Sequence, residues 1–174
     1  MSKKRRKSRK SGFKAFINWL TALSVVIILG FVVRTYVVVP VTISGQSMAD
    51  TYNDGDVVLV TRFDYLLSGP EVGDVVLCEV DDRDGMYVKR VIGVPGDYVE
   101  ITNGMLTVNG VAVDETYVSY PSSETMSVQL GADEYMVLGD NRAASYDSRE
   151  AEIGMLSGDD FSGKVRSRIW PLGD

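Results

Sequence analysis

YVEITNGMLTV, residues 98–108, places two β-prone runs, Tyr98–Thr102 and Met105–Val108, on either side of Asn103-Gly104. A two-residue Asn-Gly link favours a type I′ turn, whose twist matches an antiparallel hairpin. The same pattern extends outward. Short runs rich in Val, Ile, Tyr and Thr alternate with Gly, Asp, Asn and Pro. Upstream they predict strands over Tyr36–Ile43, Val57–Arg62, Val75–Val80 and Tyr87–Val94, and downstream over Tyr135–Leu138 and Lys164–Trp170. Asn109-Gly110 offers a second tight turn. No long helical pattern follows residue 34. The expected fold class is therefore mainly β, built of antiparallel sheets. Val111–Leu130 is poorly patterned and is expected to be a surface excursion. Gly55-Asp56-Val57-Val58-Leu59 is echoed at Gly73-Asp74-Val75-Val76-Leu77, and two turn–strand units explain that echo without an architectural repeat.

Ahead of this body the sequence changes character. The 174 residues suit one domain with an appendage. The net charge of −6 conceals a segregation: residues 1–34 hold nine basic and no acidic residues, so the two parts carry +9 and −15. Ala15–Val33, AFINWLTALSVVIILGFVV, has no charged side chain. Nineteen helical residues span about 28 Å, close to the hydrocarbon thickness of a bilayer. Lys14 and Arg34 bracket the run, and Trp19 and Tyr36 lie near its ends, where amphipathic rings favour the interface. A cleavable signal would have a shorter apolar core and a small-residue cleavage site, which Arg34-Thr35-Tyr36-Val37 does not supply. A buried soluble helix would carry a polar stripe. The expectation is a basic cytoplasmic tail over 1–14, a single transmembrane anchor over 15–33 and an extracytoplasmic β-rich domain over 34–174. The positive-inside rule orients it. An acidic outer domain speaks against a nucleic-acid partner.

The absence of histidine excludes a Ser-His-Asp triad and His-ligated metal sites. The single cysteine, Cys78, excludes an intrachain disulfide and a multi-Cys cluster, and its apolar strand context marks it as a small buried hydrophobe. A hydrolase on this chain must move protons with Lys, Asp, Glu or Tyr. Three segments stand out from ordinary β-domain punctuation. In Ser44-Gly45-Gln46-Ser47-Met48-Ala49-Asp50-Thr51, Gly45 permits a sharp turn that presents Ser47 and aims backbone N–H groups at one point. In Tyr87-Val88-Lys89-Arg90-Val91-Ile92-Gly93-Val94-Pro95-Gly96-Asp97, strand alternation sends Lys89 and Arg90 to opposite faces, so one of them projects into a largely apolar sheet. Gly139–Arg149, GDNRAASYDSR, is dense in turn formers and charges. Taken alone it reads as a solvated loop of Asx-turns and ion pairs.

In that order, Ser-Gly-x-Ser-Met, Lys-Arg-Val-Ile-Gly-x-Pro-Gly-Asp and Gly-Asp-Asn-Arg-x-x-Ser-x-Asp-Ser-Arg resemble the motifs of bacterial type I signal peptidases. The single N-terminal anchor resembles the Gram-positive form. The resemblance implies a Ser/Lys dyad with Ser47 as nucleophile and Lys89 as general base. It implies that Ser145 orients the lysine, and that Asp147 and Arg149 form a supporting pair. It also implies that the Ser47 N–H donates to the oxyanion, with a second donor from the segment Ser44-Gly45-Gln46. No metal or cofactor is expected. Asp50 stands where the family pattern has proline, which removes a φ constraint and adds a charge beside the site.

The lysine role has a physical requirement of its own. A base must be neutral, and free lysine has a pKa of about 10.4. Lowering it by three units disfavours the ammonium by roughly 4 kcal/mol, which burial among apolar walls such as Val88, Val91 and Ile92 would supply. The implied substrates are exported preproteins cut after a small-x-small sequence, with membrane lipid and the secretion translocon close by. An extended peptide is expected to add to a sheet edge beside shallow apolar pockets, for which Ile43 and Met48 are candidate linings. Ser47 lies 14 residues beyond Val33, at most about 50 Å when extended. Two other readings compete: a non-catalytic relative that assists assembly of surface proteins, and a self-cleaving Ser/Lys repressor. The anchor and the lack of a DNA-binding helical module oppose the second.

Overall fold

Antiparallel pairing forms every strand ladder of the protein, whose computed structural model describes residues 3–32, 37–66, 68–80 and 85–171. The chain divides into two compact units, Met1–Val37 and Val38–Asp174. The first is a single helix, α1, Lys3–Val32. It begins inside the basic run, because Lys and Arg are themselves good helix formers. Within α1, Gly12–Phe31 gives 20 residues long and apolar enough to cross a membrane. Phe16, Trp19, Leu20, Val26, Ile27, Leu29 and Phe31 are all exposed on it. A helix with exposed apolar side chains over this length suits a membrane anchor. Val33, Arg34 and Tyr36, expected landmarks of the anchor, lie outside the described residues.

Among its described residues the second unit carries ten strands: β1 Val38–Thr42, β2 Val57–Thr61, β3 Val75–Glu79, β4 Met86–Gly93, β5 Tyr98–Thr102, β6 Met105–Val108, β7 Val111–Ala112, β8 Met126–Gln129, β9 Met136–Leu138 and β10 Phe161–Trp170. They form a six-stranded sheet in the order β1-β2-β10-β3-β4-β9 and a four-stranded sheet in the order β7-β6-β5-β8. Asn103 at φ 48° and Gly104 at φ 79° close the β5–β6 hairpin as a type I′ turn requires. The mainly antiparallel β class is as expected from the sequence.

One expectation is corrected. Val111–Leu130 is not merely an excursion, since it supplies β7 and β8. β7 is only two residues long, too short to show a period. In β8 the half-buried Met126 and Val128 alternate with exposed Ser127 and Gln129 over four residues. Its strand identity comes from pairing with β5, Tyr98↔Gln129 to Ile101↔Met126, rather than from local sequence.

Three apolar clusters hold these sheets. One packs Ile43 and Met48 against Val58, Val60, Val75, Leu77 and Val165. A second gathers Val76, Cys78, Val80, Val91, Tyr135, Val137 and Leu156. The third joins Ile92, Met136 and Leu138 of the larger sheet to Val99, Ile101 and Leu106 of the smaller one. Alternate residues of β3 serve different clusters, so this strand is covered on both faces and reads as a continuous apolar run. Cys78 is fully buried within it, and desolvation pushes its thiol up to about 12. It is a packing residue and not a reactive thiol.

Candidate active site

Leaving β1, the chain turns at Gly45, whose φ of 94° disfavours a side chain. The Gly45 N–H donates to Asp54 Oδ1 at 2.8 Å, which fixes the turn. Met48 then plugs the first apolar cluster at 1 % exposure. With Met48 anchored, its neighbour Ser47 is held at the surface of that cluster. The Ser47 carbonyl accepts from the Asn141 N–H at 3.0 Å, and Tyr52 N–H donates to Met48 O at 2.8 Å. The serine loop is therefore bolted to the segment after β9 as well as to its own strand.

Lys89 approaches from the middle of β4. Its Nζ lies 2.9 Å from Ser47 Oγ, within hydrogen-bond distance. The residue is 4 % exposed. Burial drives its pKa below the ordinary lysine value. The Asp147 carboxylate and Cys78 oppose that shift, and Arg149 adds to it. The walls differ from those expected. Val76 stands directly across the β3–β4 ladder from Lys89. Alternation puts Val91 and Tyr87 on the same face, and Val88 and Ile92 on the other, where they serve separate clusters. Cross-strand neighbours such as Val76 are absent from a linear reading.

Arg90 takes the opposite face. Its guanidinium grips both carboxylate oxygens of Asp140, at 2.8 and 2.6 Å, and stacks 4.0 Å from the Tyr117 ring centroid. It also donates to Gly73 O. Asp140 in turn accepts from Thr51 Oγ1 at 2.6 Å. One β4 residue thus faces the serine while the next ties down the serine's loop. Sequence reasoning assigned no role to Arg90, Asp140, Thr51 or Asn141. The signal for them was their place inside the same motifs.

The segment after β9 is not the solvated loop that its composition suggests. Asp140, Asn141, Arg142, Asp147 and Ser148 are all buried. Arg149 and Asp147 form a two-point ion pair, Nε to Oδ1 at 2.7 Å and a second nitrogen to Oδ2 at 2.9 Å. Arg149 also donates to the carbonyls of Arg142 and Ser145. The region between β7 and β9 supplies Glu124 to Arg149 and Glu115 to Arg142. Turn formers are polar because they need partners, and here the partners are internal. Ser145 sits against Gly139, and its buried hydroxyl faces the Asp147 carboxylate and favours its charged form.

Burial opposes ionisation of Asp147, yet the Arg149 guanidinium and the Gly139 N–H together hold its carboxyl below the ordinary range. A carboxyl depressed in the folded state adds stability above its unfolded pKa of about 3.9, and that stability is lost as pH falls through the folded value. Asp147→Asn is therefore expected to cost about 3 kcal/mol at neutral pH, because it strands part of a buried cation. It should also flatten the acid limb of stability below about pH 4. Urea unfolding across pH measures both effects. An unchanged acid limb would refute the assignment.

A pocket of about 140 Å³ opens at Ser47. Ile43, Ser44 and Met48 line it, with Val41, Leu77 and Val88 as apolar walls. Both residues expected at a substrate pocket therefore border the serine. Ser44 is exposed there. The Gly45 N–H is already committed to Asp54, which leaves Ser44 and Gln46 as sources of a second oxyanion donor.

A serine hydroxyl against a desolvated lysine amine, on an antiparallel scaffold without histidine, is the equipment of a serine peptidase. The profile of the family described as signal peptidase, peptidase S26, matches residues 16–170. Signal peptidase IB of Staphylococcus aureus is 37 % identical over 92 % of this chain and 93 % of its own length. Signal peptidase I P of Bacillus subtilis subsp. natto is 30 % identical, over 91 % and 90 %. The crystal structure of a signal peptidase I from Enterococcus faecalis superposes with a TM-score of 0.51 and 25 % identity, covering 56 % of this chain and 97 % of that one. The chain belongs to the signal peptidase family, whose members are membrane serine endopeptidases that remove signal peptides.

Proposed function

We propose that Ser47 is the nucleophile and Lys89 the general base in the removal of signal peptides from exported preproteins. The observation that carries this reading is the 2.9 Å contact between Ser47 Oγ and the buried Lys89 amine. Ser47 Oγ adds to the scissile carbonyl carbon as its proton passes to Nζ. The Ser47 N–H and a donor from Ser44 or Gln46 receive the oxyanion. The lysine ammonium then protonates the departing amine, and the C–N bond breaks to leave an acyl-serine. Water attacks that ester with Lys89 again taking the proton, releasing the signal peptide as a carboxylate. The family resemblance assigns Ser145 to orienting the amine, and the Asp147–Arg149 pair keeps its loop in place.

The pocket of about 140 Å³ takes the side chain preceding the bond. It is smaller than the roughly 300–1,000 Å³ of drug-sized ligand pockets, which suits one small residue. With a basic tail and an apolar 20-residue helix, 1–14 stays cytoplasmic and the catalytic domain lies outside. Membrane lipid surrounds α1, and the translocon delivers substrate nearby. Purified enzyme in detergent should cut a preprotein once, after a small-x-small sequence. Replacing the alanine before the bond with phenylalanine should abolish the cut. A wild-type enzyme that leaves the preprotein intact would overturn the reading.

A further inference from the structure

Ser47 sits on a ridge between two cavities. Ser44, Ser47 and Met48 border the smaller one. Gln46, Ala49 and Asp50, from the same turn, border a second cavity of about 560 Å³, completed by Asp54, Tyr120 and Asn141. Asn141 is also the residue whose N–H holds the Ser47 carbonyl. The second cavity therefore adjoins the reacting serine, and it is larger than one side chain needs.

The chemistry of its wall is one-sided. Asp50 and Asp54 are both exposed, and among the described residues no lysine or arginine lines the cavity. The neighbouring Arg142 turns inward to Glu115 and the Gly139 carbonyl, so it does not offset them. A peptide whose preceding side chain fills the small pocket, and whose carbonyl lies at Ser47, continues past the ridge with the residues that follow the bond.

We infer that the cavity bounded by Asp50, Tyr120 and Asn141 is the subsite for the first residues of the mature protein, and that its carboxylates select basic over acidic residues there. This rests on the Ser47/Lys89 reading above. The new α-amino group, with a pKa near 7.7–8.0, is largely protonated at pH 7 and meets the same field. Rim charges act with partial screening, so a change from two lysines to two glutamates moves kcat/KM by about tenfold.

The test uses full-length enzyme in a non-ionic detergent and two preproteins that differ only at the second and third residues after the bond, Lys-Lys in one and Glu-Glu in the other. The ratio of their kcat/KM values is compared within each enzyme form, which cancels any loss of folded enzyme. Wild type should favour the lysine substrate about tenfold at low salt, and the ratio should approach one in 1 M NaCl. Asp50→Asn should shrink the ratio and Asp50→Lys should invert it. Equal cleavage of both substrates, or a ratio indifferent to Asp50→Lys, overturns the subsite while leaving the peptidase intact. An enzyme idle on every preprotein sinks the underlying peptidase reading first.

Discussion

Lys89→Ala lowers preprotein cleavage by about 10³–10⁴-fold, and Ser47→Ala removes it to background. The lysine figure is the upper range for loss of a positioned general base. Lys89→Arg should be as inactive as the alanine variant, because a guanidinium stays charged at any working pH. The wild-type rate rises with pH as Nζ loses its proton. Burial sets that rise below the ordinary lysine range. Stability follows the same sign. A lysine with a depressed folded pKa makes the unfolded chain bind more protons, so wild type gains stability as pH climbs from the folded value toward about 10.4. Lys89→Met keeps the volume and removes the buried amine. It should be inactive yet at least as stable in urea at neutral pH, with no such gain on raising pH. Full cleavage by Lys89→Ala would end the Ser/Lys mechanism. Inactivity with collapse of the fold in Lys89→Met would show the lysine to be structural.

Gly139→Ala should reduce kcat about 100-fold, although residue 139 touches no substrate. A Cβ there would overlap Ser145 Oγ and the Ser47 carbonyl, and would stand 2.6 Å from Ser145 Cβ. The backbone has little room to retreat. The Gly139 N–H donates to Asp147, and the Gly139 carbonyl accepts from Arg142 Nε. The compliant side is the serine loop, which would move away from Lys89. A displacement of about 1 Å at a catalytic group is worth about 10² in rate, whereas overpacking costs about 1–3 kcal/mol of stability. The discriminating pattern is a large fall in kcat with little change in KM and a folded, somewhat weakened protein. A fully active Gly139→Ala would show that the contact relaxes elsewhere.

The antiparallel class was legible because Asn103-Gly104 and Asn109-Gly110 demand tight turns wherever they fall. Ser47 and Lys89 were reached through the resemblance to signal peptidases, whereas strand alternation alone said only that Lys89 or Arg90 projects into an apolar sheet. β8 was not, since four residues of weak alternation become a strand only through β5. Arg90 was visible as the face-opposite neighbour of Lys89, but its partner Asp140 lies 50 residues away, and spacing along the chain says nothing of that meeting. The loop after β9 was misread for a related reason. Burial of Asp140 and Asp147 depends on arginines whose direction no local pattern specifies. The resemblance to signal peptidases reached Asp147 and Arg149, and physics supplied the reason for their pairing.

Ser47 and Lys89 are 42 residues apart and come from different parts of the chain. The serine is placed by the plug of Met48 and the lysine by the β3–β4 ladder. Before those meet, the amine is an ordinary ammonium in water and the hydroxyl an ordinary alcohol. If the proposed dyad holds, the nascent chain is thus latent until these elements meet. Solvent keeps it switched off, and completion of the sheet switches it on. On the proposed dyad, reactivity is a property of the finished sheet and not of either segment alone.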